Sequence, residues 1–518
     1  MNHGTTFPTA GNLVGMTSAV HFDFPSELVS RVFLHLNAAS LTRCRLVSRA
    51  FNNIITDDLR LQYILKLALH NMVDNPEVKV PIHQKLGSLA QFVERWDKFE
   101  WSNPSVINIP PNNFGTFRRF NQGVFVSRGG RAFSCVRTTQ AGSQPQSFTI
   151  TDFPPNQHLG GPFINADQNL LVLVEYQNSL ELGIDFTSKV VLYFRSLVDG
   201  AIHPQVASAK VVIDTGITEY NEQHCSVVFD KESNHLACLI RLDQADKLNM
   251  QLVILDWKTG EIKKDICGPY PGCTFLNSHY LLVCDLGKSR LTTTIRLSVI
   301  SLDDDSDGLP ITSFSYPEVT GRLFSEEFRA AFMNGSSSES NSHPLNRPFH
   351  SSGEDAVIVL SLYYAAPYVV RDTDVWRLFS IFPRSGILSM IQPGKSTPNT
   401  NPPGSWPEYH TFPAGINDTV AAYGSKVLVG HRGYMELYDF SPRSRRDETP
   451  PSPPPFQPEG PISPIPYSNP LVDSPRVPYR FHRFQCDPAL RANLIGLQED
   501  AIVFVDSTDK LFVQSLGL

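Results

Sequence analysis

The chain has 518 residues, 41% of them hydrophobic and only 18% charged, with 40 prolines and 32 glycines. That length exceeds one ordinary domain, and the composition excludes a wholly disordered chain while favouring strands, turns and loops over long solvated helices. The net charge of −7 excludes the overall basic footprint of a nucleic-acid binder.

Eight cysteines (Cys44, Cys135, Cys225, Cys238, Cys267, Cys273, Cys284 and Cys486) form no CxxC pair. Most lie in apolar runs such as Leu281-Leu282-Val283-Cys284, so they read as buried reduced thiols of an intracellular protein rather than a disulfide framework. The N-terminal segment has no basic stretch followed by an apolar one, and no apolar run approaches the roughly 18 residues of a membrane span. The expected setting is the cytoplasm or nucleus, without membrane or nucleic-acid partners.

Residues 1–20 read as a disordered tail, and from there to Trp101 the apolar residues recur at helical spacing. Leu28, Val32 and Leu36 share one helix face beside Val29 and Phe33, with Pro25 and Glu27 suited to the first turn. Asn37 to Ser40 breaks the pattern, and Ser40 is the expected N-cap of a short helix holding Leu41 and Cys44. Ser48 is the expected cap of a third helix carrying Phe51, Ile54 and Ile55. Leu61, Ile64, Leu65 and Ala68 mark a fourth helix, and Leu86, Leu89, Val93 and Trp96 a fifth.

From residue 102 the pattern changes to short apolar runs bounded by Gly, Asp, Asn or Pro, the mark of strands and hairpins. The runs pair: 123–127 with 132–137, 169–176 with 190–195, 236–241 with 251–257, 280–285 with 294–302, 356–364 with 375–383, 419–429 with 434–440, and 501–506 with 510–516. A tight turn is expected at Asp256 to Gly260, and another at Ser385-Gly386 within Arg377 to Met390. A strand pair repeated about seven times, without helices for parallel crossovers, predicts a β-propeller of about seven blades, with two stacked β-sandwiches as the alternative. Ser105 to Ile109 is suited to complete the last blade. Residues 334–353 and 441–478 are polar or Pro-rich and read as mobile loops. The second holds Thr449-Pro450, Ser452-Pro453, Ser463-Pro464 and Ser474-Pro475, suited to a kinase or to polyproline recognition, although a solvated insertion is the plainer reading.

Phe24 to Ile55 reads FPSELVSRVFLHLNAASLTRCRLVSRAFNNII. This resembles the F-box: Pro25, Glu27, Leu28, Val32, Phe33, Leu36, Leu41, Val47, Ser48, Arg49 and Phe51 stand at the family's motif positions, with Phe24 in place of the usual Leu and Cys44 at a frequent Leu or Cys position. More widely and more weakly, the chain resembles fungal F-box proteins with a propeller-like C-terminal part. The resemblance implies a multidomain α+β chain: an F-box at 21–60, a helical connector at 61–101 and an all-β recognition domain at 102–518.

It also implies a partner, the Skp-type adaptor, and through it a cullin and RING subunit of a ubiquitin ligase. Three short helices within about 35 residues cannot hide all their apolar side chains internally, so some must dock elsewhere. Phe24, Pro25, Leu28, Val32 and Leu36 are the candidates for the adaptor face, while Phe33, Leu41, Cys44, Val47 and Phe51 either share that face or pack the bundle. The β domain would bind an unknown target protein. The alternative is a non-catalytic propeller scaffold whose F-box binds a partner without directing ubiquitin transfer.

No enzyme motif survives inspection. Gly287-Lys288-Ser289 and Gly394-Lys395-Ser396 lack the earlier glycine of a phosphate loop, where Leu282 and Ser389 stand. There is no GxSxG or HExxH. His224-Cys225 is not spaced for zinc, and the acidic turn 303–308 has Phe314 where a calcium loop needs a carboxylate. No cofactor, metal or chemistry of its own is expected.

Overall fold

The computed structural model describes residues 24–98, 101, 105–108, 117–121, 123–129, 132–137, 146–152, 158–181, 185–215, 225–229, 233–244, 247–288, 293–303, 308–315, 331–334, 348–353, 356–365, 375–391, 399–400, 410–415, 418–431, 434–441, 479–485, 493–497, 501–505 and 510–515. The chain divides into two compact units, Met1–Lys66 and Leu67–Leu518. The expected tail 1–20 lies outside the described residues.

The first unit is helical, with α1 (Ser26–Phe33), α2 (Ala38–Val47), α3 (Arg49–Asp57) and the start of α4 (Leu59–Leu69). Pro25, with φ −53°, immediately precedes α1, where a fixed φ and a missing N–H cost nothing. Asn37, not Ser40, caps α2: its side chain accepts from the Ser40 N–H at 2.8 Å. The cap must be the extended residue ahead of the first turn, and Ser40 is already inside it. Asn37→Ala is expected to cost about 1 kcal/mol, read as faster amide exchange across α2 in the full chain. Ser48 caps α3 as expected, accepting from the Phe51 N–H at 3.1 Å.

Val29, Phe33, Leu41, Ile55 and Leu61 form the buried centre of this bundle, bordered by Leu36, Cys44, Phe51 and Ile54. The Phe33 and Phe51 rings meet edge to face at 5.1 Å. The Ser30 hydroxyl donates to Asp58, and Gln62 Nε2 donates to the Ile55 carbonyl at 2.8 Å. Burial works against ionisation of Asp58, but the Ser30 hydroxyl and the backbone N–H groups of Arg60 and Leu61 outweigh it and hold its carboxyl below the ordinary range.

The second unit opens with β1 (Met72–Asp74), α5 (Ile82–Lys98) and β2 (Ser105–Asn108), and is otherwise almost entirely antiparallel sheet. Blade one is β3 (Phe117–Asn121), β4 (Val124–Gly129), β5 (Ala132–Arg137) and β6 (Gln146–Ile150). Blade two is β7 (His158–Asn165), β8 (Leu170–Glu181), β9 (Asp185–Ser196) and β10 (Lys210–Asp214). Blade three is β11 (Cys225–Phe229), β12 (His235–Gln244), β13 (Lys247–Asp256) and β14 (Ile262–Gly268). Blade four is β15 (Gly272–Asn277), β16 (Tyr280–Lys288), β17 (Thr293–Ser301) and β18 (Pro310–Ser315).

Blade five joins β19 (Ala331–Asn334), β21 (Val357–Ala365), β22 (Val375–Pro383) and β24 (His410–Gly415), after the short β20 (Phe349–Ser351) departs to pair elsewhere. β23 (Asn399–Thr400) adds parallel to β18. Blade six is β25 (Thr419–Tyr423), β26 (Lys426–Gly430), β27 (Tyr434–Asp439) and β28 (Arg480–Gln485). Blade seven takes β29 (Asn493–Leu497), β30 (Ala501–Val505) and β31 (Lys510–Ser515), with β2 as its outer strand, Ile107 opposite Leu511.

The first strands of successive blades neighbour one another from β3 round to β29, and β29 returns to β3. The result is a seven-bladed β-propeller, closed because the N-terminal strand β2 completes the C-terminal blade. Ring closure ties the last blade to the first, and radial repetition leaves each blade only short, protected edges.

Apolar clusters fill the gaps between blades. One between blades two and three centres on Leu192, Phe194, Cys238 and Trp257, and one between four and five on Leu282, Leu297, Leu360 and Phe382. Each sheet is buried on both faces, which is why the central strands read as continuous apolar runs rather than alternating ones. Polar side chains also bridge blades: Trp257 Nε1 donates to Gln168 Oε1 at 3.0 Å, and Gln168 Nε2 donates to the Ser233 carbonyl at 2.8 Å. The turn after β13 is as expected, with Gly260 at φ +78° and Asp256 Oδ1 accepting from the N–H groups of Lys258 and Thr259.

Two expected elements differ. Residues 419–429 are two strands, folded at Gly424 with φ +55°, a left-handed conformation that favours glycine. The expected hairpin turn at Ser385-Gly386 is instead the helix α6 (Arg384–Ser389), which starts after Pro383 and buries Ile387 in the cluster between blades four and five. In the stretch 334–353, Asn334 ends β19 and residues 349–351 form β20, while 335–347 lie outside the described residues, as do 442–478 with their Ser-Pro and Thr-Pro pairs.

The segment before β2 is fastened to the propeller. β1 pairs antiparallel with β20, and the Ser352 N–H donates to the Asn71 carbonyl at 2.8 Å. Phe92 packs edge to face on Phe349 at 5.5 Å, and Trp96 on Trp101 at 5.1 Å. Lys426 Nζ stands 5.2 Å over the Trp96 ring, and Arg480 bridges Asp97 at 2.9 Å. Helix α5 therefore anchors on blade six. The partners Lys426 and Arg480 lie more than 300 residues along the chain, beyond the reach of local pattern.

Candidate functional site

Within the helical unit, an α-helix brings residues three and four apart onto one face. Val29 and Phe33 take the inner face of α1, so Leu28 and Val32 fall on the outer one. Phe24 is 66% exposed, Leu28 47% and Val32 61%; on α2, Leu46 is 85% exposed and Val47 69%. Pro25 is exposed beside Phe24. Large apolar side chains are thus exposed on both α1 and α2 of this small bundle.

The ten residues expected at the adaptor face divide in two. Phe24, Pro25, Leu28, Val32 and Val47 are exposed; Phe33 and Leu41 are buried in the bundle centre; Leu36, Cys44 and Phe51 are half-buried against it. The sequence left open whether the second five share the face or pack the bundle, and in this chain Phe33, Leu41, Cys44 and Phe51 pack it. Leu46 was missed. It stands between motif positions, and only the three-dimensional register of α2 puts it outside.

The profile of the F-box domain family matches residues 22–63. Residues 22–63 are an F-box domain. F-box domains in general bind Skp-type adaptors, and in this F-box the exposed Phe24, Pro25, Leu28 and Val32 lie within the matched span.

No curated protein matches the chain. Among solved structures, it is similar to Drosophila Plexin A in complex with Semaphorin 1b, at 9% identity over 80% of this chain and 88% of that one, with a TM-score of 0.38. It is similar to a chain of the Chaetomium thermophilum Nup82 NTD–Nup159 TAIL–Nup145N APD complex, at 8% identity over 78% and 95%, TM-score 0.38. Hsv2p of Kluyveromyces lactis aligns at 10% identity over 63% of this chain and 93% of that one, TM-score 0.29.

The propeller contributes a second polar cluster, in blade six. His431 Nδ1 lies 3.0 Å from Asp418 Oδ2, and its Nε2 lies 3.2 Å from Glu436 Oε2. Glu436 also accepts from the Tyr438 hydroxyl at 2.8 Å and from Arg483 Nε at 3.0 Å. Burial opposes the imidazolium, but the two carboxylates outweigh it and raise His431 to about 9. Asp418 thus faces the imidazole, and Glu436 faces the imidazole, a guanidinium and a hydroxyl.

Burial pushes the Cys135 and Cys273 thiols up to about 12, which leaves them inert as nucleophiles. Among the described residues, no group of three or more His, Cys, Asp and Glu side chains is placed to hold a metal, and no helix is long and apolar enough to cross a membrane.

Proposed function

We propose that this chain is the substrate receptor of a Skp–cullin–F-box ubiquitin ligase: the F-box engages the Skp-type adaptor, and the propeller holds a target protein. The observation that carries this reading is the F-box at 22–63 with Phe24, Leu28 and Val32 turned outward, joined in one chain to a seven-bladed propeller. The exposed side chains need a partner to cover them, and a propeller is a broad, rigid platform whose loops suit protein recognition.

Such a receptor performs no chemistry itself. Its contribution is proximity, since holding a target on the same assembly as the charged conjugating enzyme raises the effective concentration of target lysines. The fastening of β1 and α5 to the propeller serves this role by fixing the chain that leads into the recognition domain.

The test is capture of purified Skp-type adaptor and cullin by the full-length protein. Co-capture of both, in a complex that supports ubiquitin transfer to a propeller-bound protein, is the expected result. Adaptor capture without cullin would reduce the chain to a scaffold, and capture of neither would remove the receptor reading altogether.

A further inference from the structure

Two cysteines of the propeller touch through their sulfurs. Cys225 is the first residue of β11, the innermost strand of blade three, and Cys238 lies on the neighbouring β12. In the antiparallel ladder Cys225 stands opposite Ile240 and Cys238 opposite Val227, so the two share one face of the sheet as diagonal neighbours. Their Sγ atoms are 3.2 Å apart, on residues 13 apart in the chain. The Cys225 N–H donates to the Tyr176 hydroxyl of blade two at 2.9 Å, which fixes the start of β11.

The two thiols differ in their surroundings. Cys238 is fully buried in the cluster between blades two and three, and Cys225 is half-buried at its border. The Cys225 side chain and burial, in that order, push the Cys238 thiol up, which makes Cys238 the poorer first nucleophile. A disulfide brings its sulfurs to about 2.0 Å, so closure from 3.2 Å asks for about 1 Å of approach. Rotation of the two side chains supplies part of it, and the rest falls on the backbone of Cys225, the terminal residue of its strand.

We propose that Cys225 and Cys238 form a reversible, peroxide-driven disulfide that staples the inner strand of blade three to its neighbour. The Cys225 sulfur attacks one oxygen of hydrogen peroxide. The O–O bond breaks, the second oxygen leaves as water with the thiol proton, and Cys225 carries a sulfenic acid. The Cys238 sulfur then attacks the Cys225 sulfur, the S–O bond breaks, and the hydroxyl leaves with the Cys238 proton as a second water. The two thiols together lose two electrons and two protons, and one peroxide is reduced to two waters. A dithiol reductant reopens the bond by exchange and becomes a disulfide itself. Neither step involves the F-box or its adaptor.

The experiment treats the reduced full-length protein with one equivalent of hydrogen peroxide under native conditions and maps every cysteine by alkylation and peptide mass. The native chain is expected to lose two thiols and to yield a Cys225–Cys238 linked peptide, and dithiothreitol should restore both thiols. Cys238→Ser should stop at a sulfenic acid on Cys225, trapped by dimedone, and Cys225→Ser should leave Cys238 unmodified. The exposed Cys267 is the internal reference for unassisted oxidation. The native chain decides the matter even where a serine variant fails to fold. Oxidation of Cys267 ahead of Cys225, or a Cys225 that halts at the sulfenic acid with Cys238 still reduced, would overturn the proposal. So would a linked peptide that forms only after denaturant has unfolded the chain.

Discussion

Leu28→Glu combined with Val32→Glu is expected to abolish capture of the Skp-type adaptor, weakening binding by at least about a hundredfold. Each substitution removes an apolar contact and would force a carboxylate to be desolvated at the interface, and about 1.4 kcal/mol corresponds to each factor of ten. Two central positions losing about 2 kcal/mol apiece exceed the hundredfold mark. The bundle should survive, because Leu28 and Val32 lie on the outer face of α1 while Val29 and Phe33 occupy the core. Phe33→Ala makes the contrast. It would also weaken capture, but by opening a cavity in the bundle at a cost of about 3 to 5 kcal/mol. Amide exchange over α1 to α3 separates the two: protection should persist in the double variant and collapse in Phe33→Ala. Undiminished adaptor binding by the double variant, with protection intact, would show that the outer face of α1 is not the docking surface.

The legible parts of the chain were those whose signal is local. The five N-terminal helices follow from apolar spacing within single turns, and the paired central strands from apolar runs cut by Gly, Asp and Pro. Even the outer strand of the last blade was readable, because Ser105 to Ile109 is an isolated strand pattern beside a helical segment. Three kinds of feature were not readable. Caps depend on one residue's backbone, and Asn37 and Ser40 are chemically equivalent candidates until the register of α2 is known. Helix α6 and the division of 419–429 into β25 and β26 turn on backbone conformation at Pro383 and Gly424, against an apolar pattern that suits a strand. Finally, the outward position of Leu46 and the anchoring of Trp96 under Lys426 depend on contacts formed only after folding. The sorting of Phe33, Leu41, Cys44 and Phe51 into the bundle belongs to this last kind, since an apolar motif position looks the same whether it faces a partner or a core.

Blade six should make the propeller's stability fall as pH rises from about 6.5 to about 9. His431 is almost fully buried between Asp418 and Glu436, and its folded pKa is raised to about 9 against an unfolded value of about 6.5. Because the folded value is the higher, its contribution is complete below the unfolded pKa and disappears as pH climbs through the folded one. The shift corresponds to about 3 kcal/mol. Glu436 works in the opposite direction: burial opposes its ionisation, but His431 and Arg483 outweigh it and hold its carboxyl below the ordinary range, so its contribution is lost only in acid. Two further groups of the cluster, Tyr438 and the Arg483 guanidinium, stay protonated across this window, Tyr438 because burial pushes its phenol up and Arg483 because Glu436 holds its proton. Arg377 ties the cluster to blade five through the Asp418 carbonyl at 2.7 Å, so the loss should be felt beyond one sheet. Glu436→Gln is expected to cost about 3 kcal/mol near neutral pH by leaving a buried imidazolium with one carboxylate, and to flatten the decline on the alkaline side. Thermal unfolding of the full chain at pH 6 and pH 9 measures both effects. A native midpoint unchanged between the two would mean that His431 titrates alike in the folded and unfolded chain and that the two carboxylates do not stabilise its imidazolium.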